Sequence, residues 1–404
     1  MIPENWRRVP QSAVCGLANG EKRENEPYPY WEVKALRGTK EREYASSGRF
    51  VEKGTKVILV DGENSGEIFD VAEDGYMGST FRALSIEETV LPQYLQLFIL
   101  LNKDLYRNNK RGSAIPHLDK GLFFSTPFPL PPLPEQERIA GRVESLFARL
   151  DEAADKLQTV VEGYELRRAA LLHKAFTGEL TAGWREARGA EAGRWATERL
   201  GKYATSQYGY TESASPELVG PKFLRITDIQ NGAVQWDKVP YCKISRDDFA
   251  KYAVRPCDIV VARTGATTGK SCLITDDIRA VFASYLIRLT IRDSGLLPGY
   301  LYHFMQSQSY WSQISEFSAG IAQPGVNAKK LREIKLPVPP LEEQAVIVRI
   351  LDGLLRRERR ALSAAREALA QIPLMKRSVL ARAFRGELGT NNPAEEPCRL
   401  RQEN

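Results

Sequence analysis

A match of the chain with itself limits what it can fold into. Residues 128–139, FPLPPLPEQERI, align with 336–347, LPVPPLEEQAVI, and the alignment continues at a constant offset of 208 to AFTGEL at 175–180 and AFRGEL at 383–388. Over residues 129–180, 17 of 52 positions are identical, where ordinary residue usage gives roughly three by chance. The 404 residues are therefore two copies of one unit, and the fold is expected to carry an internal pseudo-two-fold duplication.

Each repeated block reads as a stiff Pro-rich lead-in, Glu and Gln in a first helical turn, then a long amphipathic helix. In the first copy the apolar residues Ile139, Val143, Leu146, Leu150, Leu157 and Tyr164 recur in steps of three and four, a heptad seam. The second copy places Ile347, Leu351, Leu354, Ala361, Ala365 and Ile372 in register, with Glu358 interrupting the seam and Pro373 expected to kink or break the helix. From Glu135 to Phe176 is 42 residues, about 63 Å of helix. A small domain cannot cover a seam of that length, so the helices are expected to pair with each other, antiparallel, or with the helices of a partner.

The remaining segments mix short β-rich runs, Gly-rich turns and short helices. Strands are predicted at Lys56 to Val60, Phe223 to Ile226, Asp258 to Ala262 and Leu286 to Ile291. The fold class is α+β: two mixed α/β domains and two long coiled-coil helices. The domain order is a first globular segment over 1–130, a helical block over 131–182, a second globular segment over 183–335, a helical block over 336–389, and a polar, Pro-containing tail over 390–404 expected to be disordered. Both globular segments open with Trp (Trp6, Trp195) and later carry Tyr-Leu-x-x-Phe (94–98, 300–304), so they look paralogous but far more diverged than the helices.

Most chemistry is excluded by what the chain lacks. No apolar run approaches the roughly 20 residues of a membrane span, and the first residues have no apolar signal core, so a cytoplasmic protein without membrane contact is expected. Five dispersed cysteines form no C-x-x-C pair, and three isolated histidines offer nothing for a metal site or a triad. TGATTGKS at 264–271 has three residues between its glycines where a phosphate-cradling loop needs four, and CLITDD at 272–277 reads as a short strand and turn rather than a helix N-terminus. No methyltransferase motif occurs, Glu32-Val-Lys34 has its nearest Asp at Asp61, in a Gly-rich turn, and 61–67 lacks the alternating ligands of a calcium loop. No catalytic, cofactor-binding or metal-binding residue is therefore assigned.

A recognition surface remains. Base edges and phosphates are contacted by Arg, Lys, Asn, Gln, Ser, Thr and Tyr on loops and helix ends. The candidate DNA-binding residues are Asn64, Ser65, Ser79, Thr80, Arg82, Arg111 and Ser113 in the first half. In the second they are Tyr208, Tyr210, Thr211, Arg263, Thr264, Thr267, Thr268, Lys270, Gln323, Asn327 and Lys329. Charge is uneven: residues 1–130 hold 17 basic and 18 acidic side chains, for −1, and 190–335 hold 19 and 14, for +5. The first segment has Asp61 to Gly66 where the second has Arg263 to Gly269, so its phosphate contacts are expected to be weaker unless a partner supplies positive charge.

Two copies of Pro-x-Pro-Pro-Leu-x-Glu-Gln, each followed by a long helix ending Ala-Phe-x-Gly-Glu-Leu and each preceded by a diverged domain, resemble the specificity subunit of type I restriction-modification systems. The resemblance covers nearly the whole chain. It implies two target-recognition domains separated by an antiparallel helix pair, each reading half of a bipartite asymmetric target in double-stranded DNA. It also implies docking of two methyltransferase subunits and of restriction/translocase subunits, with S-adenosylmethionine, ATP and Mg used by those partners and not by this chain, which is then not itself an enzyme. A second reading is a recognition module of another methyltransferase or a type II-like restriction architecture.

Overall fold

The computed structural model describes residues 2–110, 116–189, 195–230, 232–318 and 325–398. The chain divides into two compact units, one made of 1–158 with 366–404 and the other of 159–365. Each long helix thus contributes residues to both.

In the first unit, Arg7–Pro10 pairs antiparallel with Pro127–Leu130, so the Pro-rich lead-in starts as a strand. A four-stranded antiparallel sheet follows in the order Cys15–Ala18, Phe81–Ile86, Lys56–Leu59, Ile68–Asp70. The strands Glu21–Trp31, Glu43–Val51 and Gly75–Met77 close on one another beside it. The second unit repeats the plan. Ala196–Arg199 pairs with Lys335–Val338, and its sheet runs Ala204–Tyr208, Leu286–Ile291, Ile259–Ala262, Ser271–Leu273, again antiparallel. A parallel pair, Lys222–Leu224 with Ala280–Phe282, replaces the closed three-strand group. The central strands Lys56–Leu59 and Ile259–Ala262 are buried along their whole length, which is why 57–60 and 259–262 read as unbroken apolar runs rather than as alternating ones.

One side chain joins helix to domain identically in both units. Gln136 Oε1 accepts from Leu91 N at 2.8 Å, while its Nε2 donates to the Thr89 and Pro131 carbonyls at 2.9 and 3.0 Å. Gln344 makes the same three bonds with Leu297 N, Gly295 O and Pro339 O at 2.8, 2.9 and 2.9 Å. Both amides are completely buried, so each must satisfy its partners inside the protein. Tyr94 and Tyr300 repeat the theme, donating to the carbonyls of Pro129 and Pro337.

The first helix runs Leu133–Glu162, is interrupted at Gly163, and continues Tyr164–Phe176. A methyl group on Gly163 would lie 2.4 Å from Arg167 Nη1 and 3.2 Å from the Thr159 carbonyl. The glycine admits the Arg167 guanidinium, which donates to Val160 O at 2.9 Å and pairs with Glu358 at 2.8 Å. The polar interruption of the second seam is thereby matched. Pro373, expected to kink or break the second helix, lies inside an unbroken helical span, Leu341–Ala383. It sits on the exposed side, where the carbonyl it leaves without a donor can be hydrated.

Within each unit the helices pair antiparallel. In the first, Ile139 and Val143 share a core with Leu380, Ala383 and Phe384, and Lys376 bonds Asp151 at 2.6 Å over the Phe147 ring. In the second, Leu172, Ala175 and Phe176 share a core with Ile347, Leu351 and Leu355. Of the seam residues, Ile139, Val143, Ile347, Leu351, Ala365 and Ile372 are buried, and Leu146, Leu150, Leu157, Tyr164 and Leu354 are partly covered. Ala361 is exposed; beyond Leu351 the buried stripe passes to Leu355, one position later than the heptad count places it.

The tail departs from expectation. Residues 390–398 lie on the first unit: Thr390 Oγ1 donates to the buried Glu135 at 2.6 Å, Glu395 pairs with Arg138 at 2.8 Å, and Asn391 accepts from Trp6 Nε1 at 2.9 Å. Cys398 donates to the Pro131 carbonyl at 3.2 Å. In the second unit the segment after the first helix does the same work, with Thr181, Arg185 and Trp195 on the buried Glu343. A polar composition reads as disorder until the buried carboxylate that needs those donors is known.

Candidate nucleic-acid interface

In the second unit, the turn after Ile259–Ala262 carries the clearest grouping of polar and aromatic side chains. The Arg263 guanidinium lies 4.8 Å over the Tyr208 ring, a cation–π contact that orients it, and Nη1 donates to Ser284 O at 3.4 Å. Its backbone N bonds Tyr285 O at 3.1 Å and its carbonyl accepts from Val326 N at 2.9 Å. Tyr208 Oη accepts from Ala328 N at 3.1 Å. Four separate segments thus meet along the edge at one end of the sheet. From beneath, Tyr310 donates to Gly269 O at 2.7 Å, and Gly269, at φ 86°, has Ile314 and Trp311 so close that any side chain there would collide. The turn leads straight into the strand Ser271–Leu273, so it presents no long helix dipole to a phosphate.

The predicted residues of this half are not equal. Tyr208, Arg263, Thr264 and Asn327 belong to the grouped edge, whereas Lys329 lines a hollow with Thr197, Arg199, Lys202 and Arg332. Thr264 forms a bridge with Gly325, Asn327 caps the short helix Ala328–Glu333 by accepting from Lys330 N, and Lys329 is exposed. Tyr210 makes a tilted ring contact with Tyr252 at 5.2 Å and is joined to the edge through Ser284 N, with Thr211 exposed beside it. Thr267 and Lys270 lie in the turn, Lys270 exposed. Thr268 is buried and its hydroxyl bonds Gly265 O at 2.7 Å, which closes the turn and removes it from the surface. Gln323, like Arg111 and Ser113 of the first half, lies outside the described residues. Tyr285, 64% exposed, was not anticipated; the signal was its place directly before an apolar strand, where Thr80 stands in the first half.

The first unit has the same backbone frame and different side chains. Val60 N bonds Thr80 O and Val60 O accepts from Leu118 N, both at 2.8 Å, as Arg263 does with Tyr285 and Val326; Gly66 bonds Leu59 O as Gly269 bonds Ala262 O. The counterpart of Arg263 is therefore the buried Val60 and not Asp61, which stands opposite Thr264 one residue on. Asp61 is held by His117, Nδ1 to Oδ1, at 2.7 Å. Ser65 is buried, with a hydroxyl that has no partner, so it is not a surface contact. Asn64 accepts from Arg107 at 2.7 Å. Ser79 is exposed, Thr80 and Arg82 are partly so, and Arg82 Nη1 donates to Ser79 O at 3.0 Å.

Among the described residues no group of three or more His, Cys, Asp or Glu side chains is placed to hold a metal ion, and no helix is long and apolar enough to cross a membrane. Burial pushes the Cys15 and Cys272 thiols up to about 12 and Cys242 to about 11, which keeps them protonated and poor nucleophiles.

A duplicated fold with two variable edges on a constant frame defines a class of two-headed recognition proteins, and comparison with known proteins supplies its family. The family model described as the type I restriction modification DNA specificity domain matches residues 4–162 and again 202–365. The chain belongs to that family, as a DNA sequence-specificity subunit of a type I restriction-modification system. It is 24% identical to the EcoBI specificity subunit of Escherichia coli, over all of this chain and 90% of that one. It is 25% identical to the MjaVIII specificity subunit of Methanocaldococcus jannaschii, over 92% and 93%. The crystal structure of the HsdS subunit from Thermoanaerobacter tengcongensis shares the fold, with a TM-score of 0.67, 21% identity, and coverage of 96% of this chain and 98% of that one.

Proposed function

We propose that each unit of this chain reads one half of a bipartite, asymmetric DNA target through the edge just described, and that the chemistry is done by partner subunits. The observation that carries this reading is the contrast of a conserved hydrogen-bonded frame with two different edges: Tyr208, Arg263 and Tyr285 in the second unit occupy the backbone positions that Asn19, Val60 and Thr80 hold in the first. Different edges imply different half-sites, because sequence is read by the side chains that reach the base edges. Arg263 is the base-reading residue of the second edge, with Tyr208 orienting it. In the first, Ser79 and Thr80 take that place.

The partners are two methyltransferase subunits and the restriction/translocase subunits, which bring S-adenosylmethionine, ATP and Mg; the complex works in the cytoplasm. Exposed leucines support two equivalent docking surfaces. Leu133 and Leu341, 37% and 41% exposed, are repeat counterparts, as are Leu166 and Leu374, 76% and 58% exposed. Each unit therefore displays one leucine of each pair. The identity of the mostly exposed pair, Leu166 and Leu374, in copies that share only 17 of 52 residues, is not required by folding. The deciding experiment is to co-express the chain with its methyltransferase subunit and map adenine methylation across a naive genome. One bipartite asymmetric motif is expected. A symmetric motif, or none from a stable complex, overturns the reading.

A further inference from the structure

The first unit lacks an arginine at the position of Arg263, yet it gathers three unneutralised cations close to the same edge. Lys22 and Arg49 are direct cross-strand partners in the pair Glu21–Trp31 with Glu43–Val51. Like charges directly opposite each other destabilise a ladder. Arg49 Nη2 donates to Gly78 O at 3.4 Å, and Arg82 Nη1 donates to the next carbonyl, Ser79 O, at 3.0 Å, so both guanidinium groups flank the turn that leads to Thr80. Among the described residues none of the three has a carboxylate partner. Glu24, on the same face of the ladder two residues from Lys22, stands opposite Ser47.

Six other cations of residues 1–130 have carboxylate partners. Arg23 pairs with Glu21, Arg37 with Glu67, Lys40 with Glu32 and Glu43, Arg42 with Glu73, Lys56 with Asp70 and Lys110 with Glu63. Residues 1–130 carry a net charge of −1, and Lys22, Arg49 and Arg82 stand without a carboxylate partner beside the recognition edge. Such a grouping is costly in the free protein and is relieved by an anion.

We propose that Lys22, Arg49 and Arg82 are the phosphate-backbone contacts of the first half-site. They supply the positioning charge that the sequence of this segment, taken as a whole, lacks. The proposal rests on the DNA-specificity reading. Phosphate rather than base contact is favoured because Lys22 and Arg49 stand on the strand pair beside the edge and not on the turn that carries Thr80, which suits positioning more than discrimination.

The test uses the full chain in complex with its methyltransferase subunits and a duplex carrying the motif that the complex methylates. Lys22→Gln, Arg49→Gln and Arg82→Gln are each expected to weaken binding to all sequences alike and to lower the slope of log affinity against log salt by about 0.9, with the methylated motif unchanged. Lys40→Gln, which removes an ion-paired cation, serves as the folding and charge control and leaves the slope unaltered. A relaxed first half-site with an unchanged slope makes these residues base readers and overturns the assignment. Loss of co-purifying methyltransferase without a change in slope gives the cluster to a protein partner and also overturns it. If the three variants are silent while Arg263→Ala alters recognition, the cluster fails and the DNA-specificity reading stands; a wild-type complex that binds no duplex removes both.

Discussion

The two recognition edges share a backbone and little else. Where the second unit has Tyr208, Arg263 and an exposed Tyr285, the first has Asn19, a buried Val60 and Thr80, and an acidic turn closed by the Asp61–His117 pair. The frame beneath them is the same to within about a tenth of an ångström in the bonds of Gln136 and Gln344. The difference shows which groups folding constrains. A buried amide that satisfies three backbone groups cannot change without leaving them unpaired. The side chains at these edges hold fewer backbone groups of the fold in place, so they can differ between the units.

The comparison predicts effects of graded size. Gln136→Ala and Gln344→Ala leave the same three backbone groups unsatisfied, so each is expected to cost about 3 kcal/mol. Hydrogen exchange should show the loss at Leu91 in the first variant and at Leu297 in the second. Equal loss of protection at both amides in either variant breaks the equivalence of two separate frames. Arg263→Ala is expected to cost about 1–3 kcal/mol of discrimination, confined to the second half-site in the methylation map. Relaxation of both half-sites alike refutes one edge per half-site. The smallest effect concerns a turn. Gly54 and Cys257 make the same bonds, to Val71 O and Ile274 O, at φ 82° and 73°. Cys257 is exposed and strained where the first unit has glycine, so Cys257→Gly should raise stability by about 0.5–1 kcal/mol, measured as a denaturation midpoint, whereas Gly54→Cys should lower it.

Reading the sequence alone went furthest along the helices. Ile139, Val143, Ile347 and Leu351 are buried as their spacing requires, because helical periodicity is a local property. It went less far at the edges. Ser65 and Thr268 have the composition of contact residues and are folded inward, and Val60 was set one residue out of step with Arg263. Which way a turn residue points depends on strands far away in sequence: Thr80 and Leu118 for Val60, Tyr285 and Val326 for Arg263. Lys22 and Arg49 are 27 positions apart, and only the ladder register makes them neighbours.

By itself, then, the sequence determined the duplication, the two helices, the central strands and the family, since each is written in local pattern or in similarity between copies. Tertiary structure alone decided where residues 390–398 lie, how Glu358 is paired, which polar residues face outward and that Lys22 stands opposite Arg49. Those outcomes turn on the desolvation of single buried groups such as Glu135 and Glu343, and on hydrogen-bond partners that only the folded chain brings within reach.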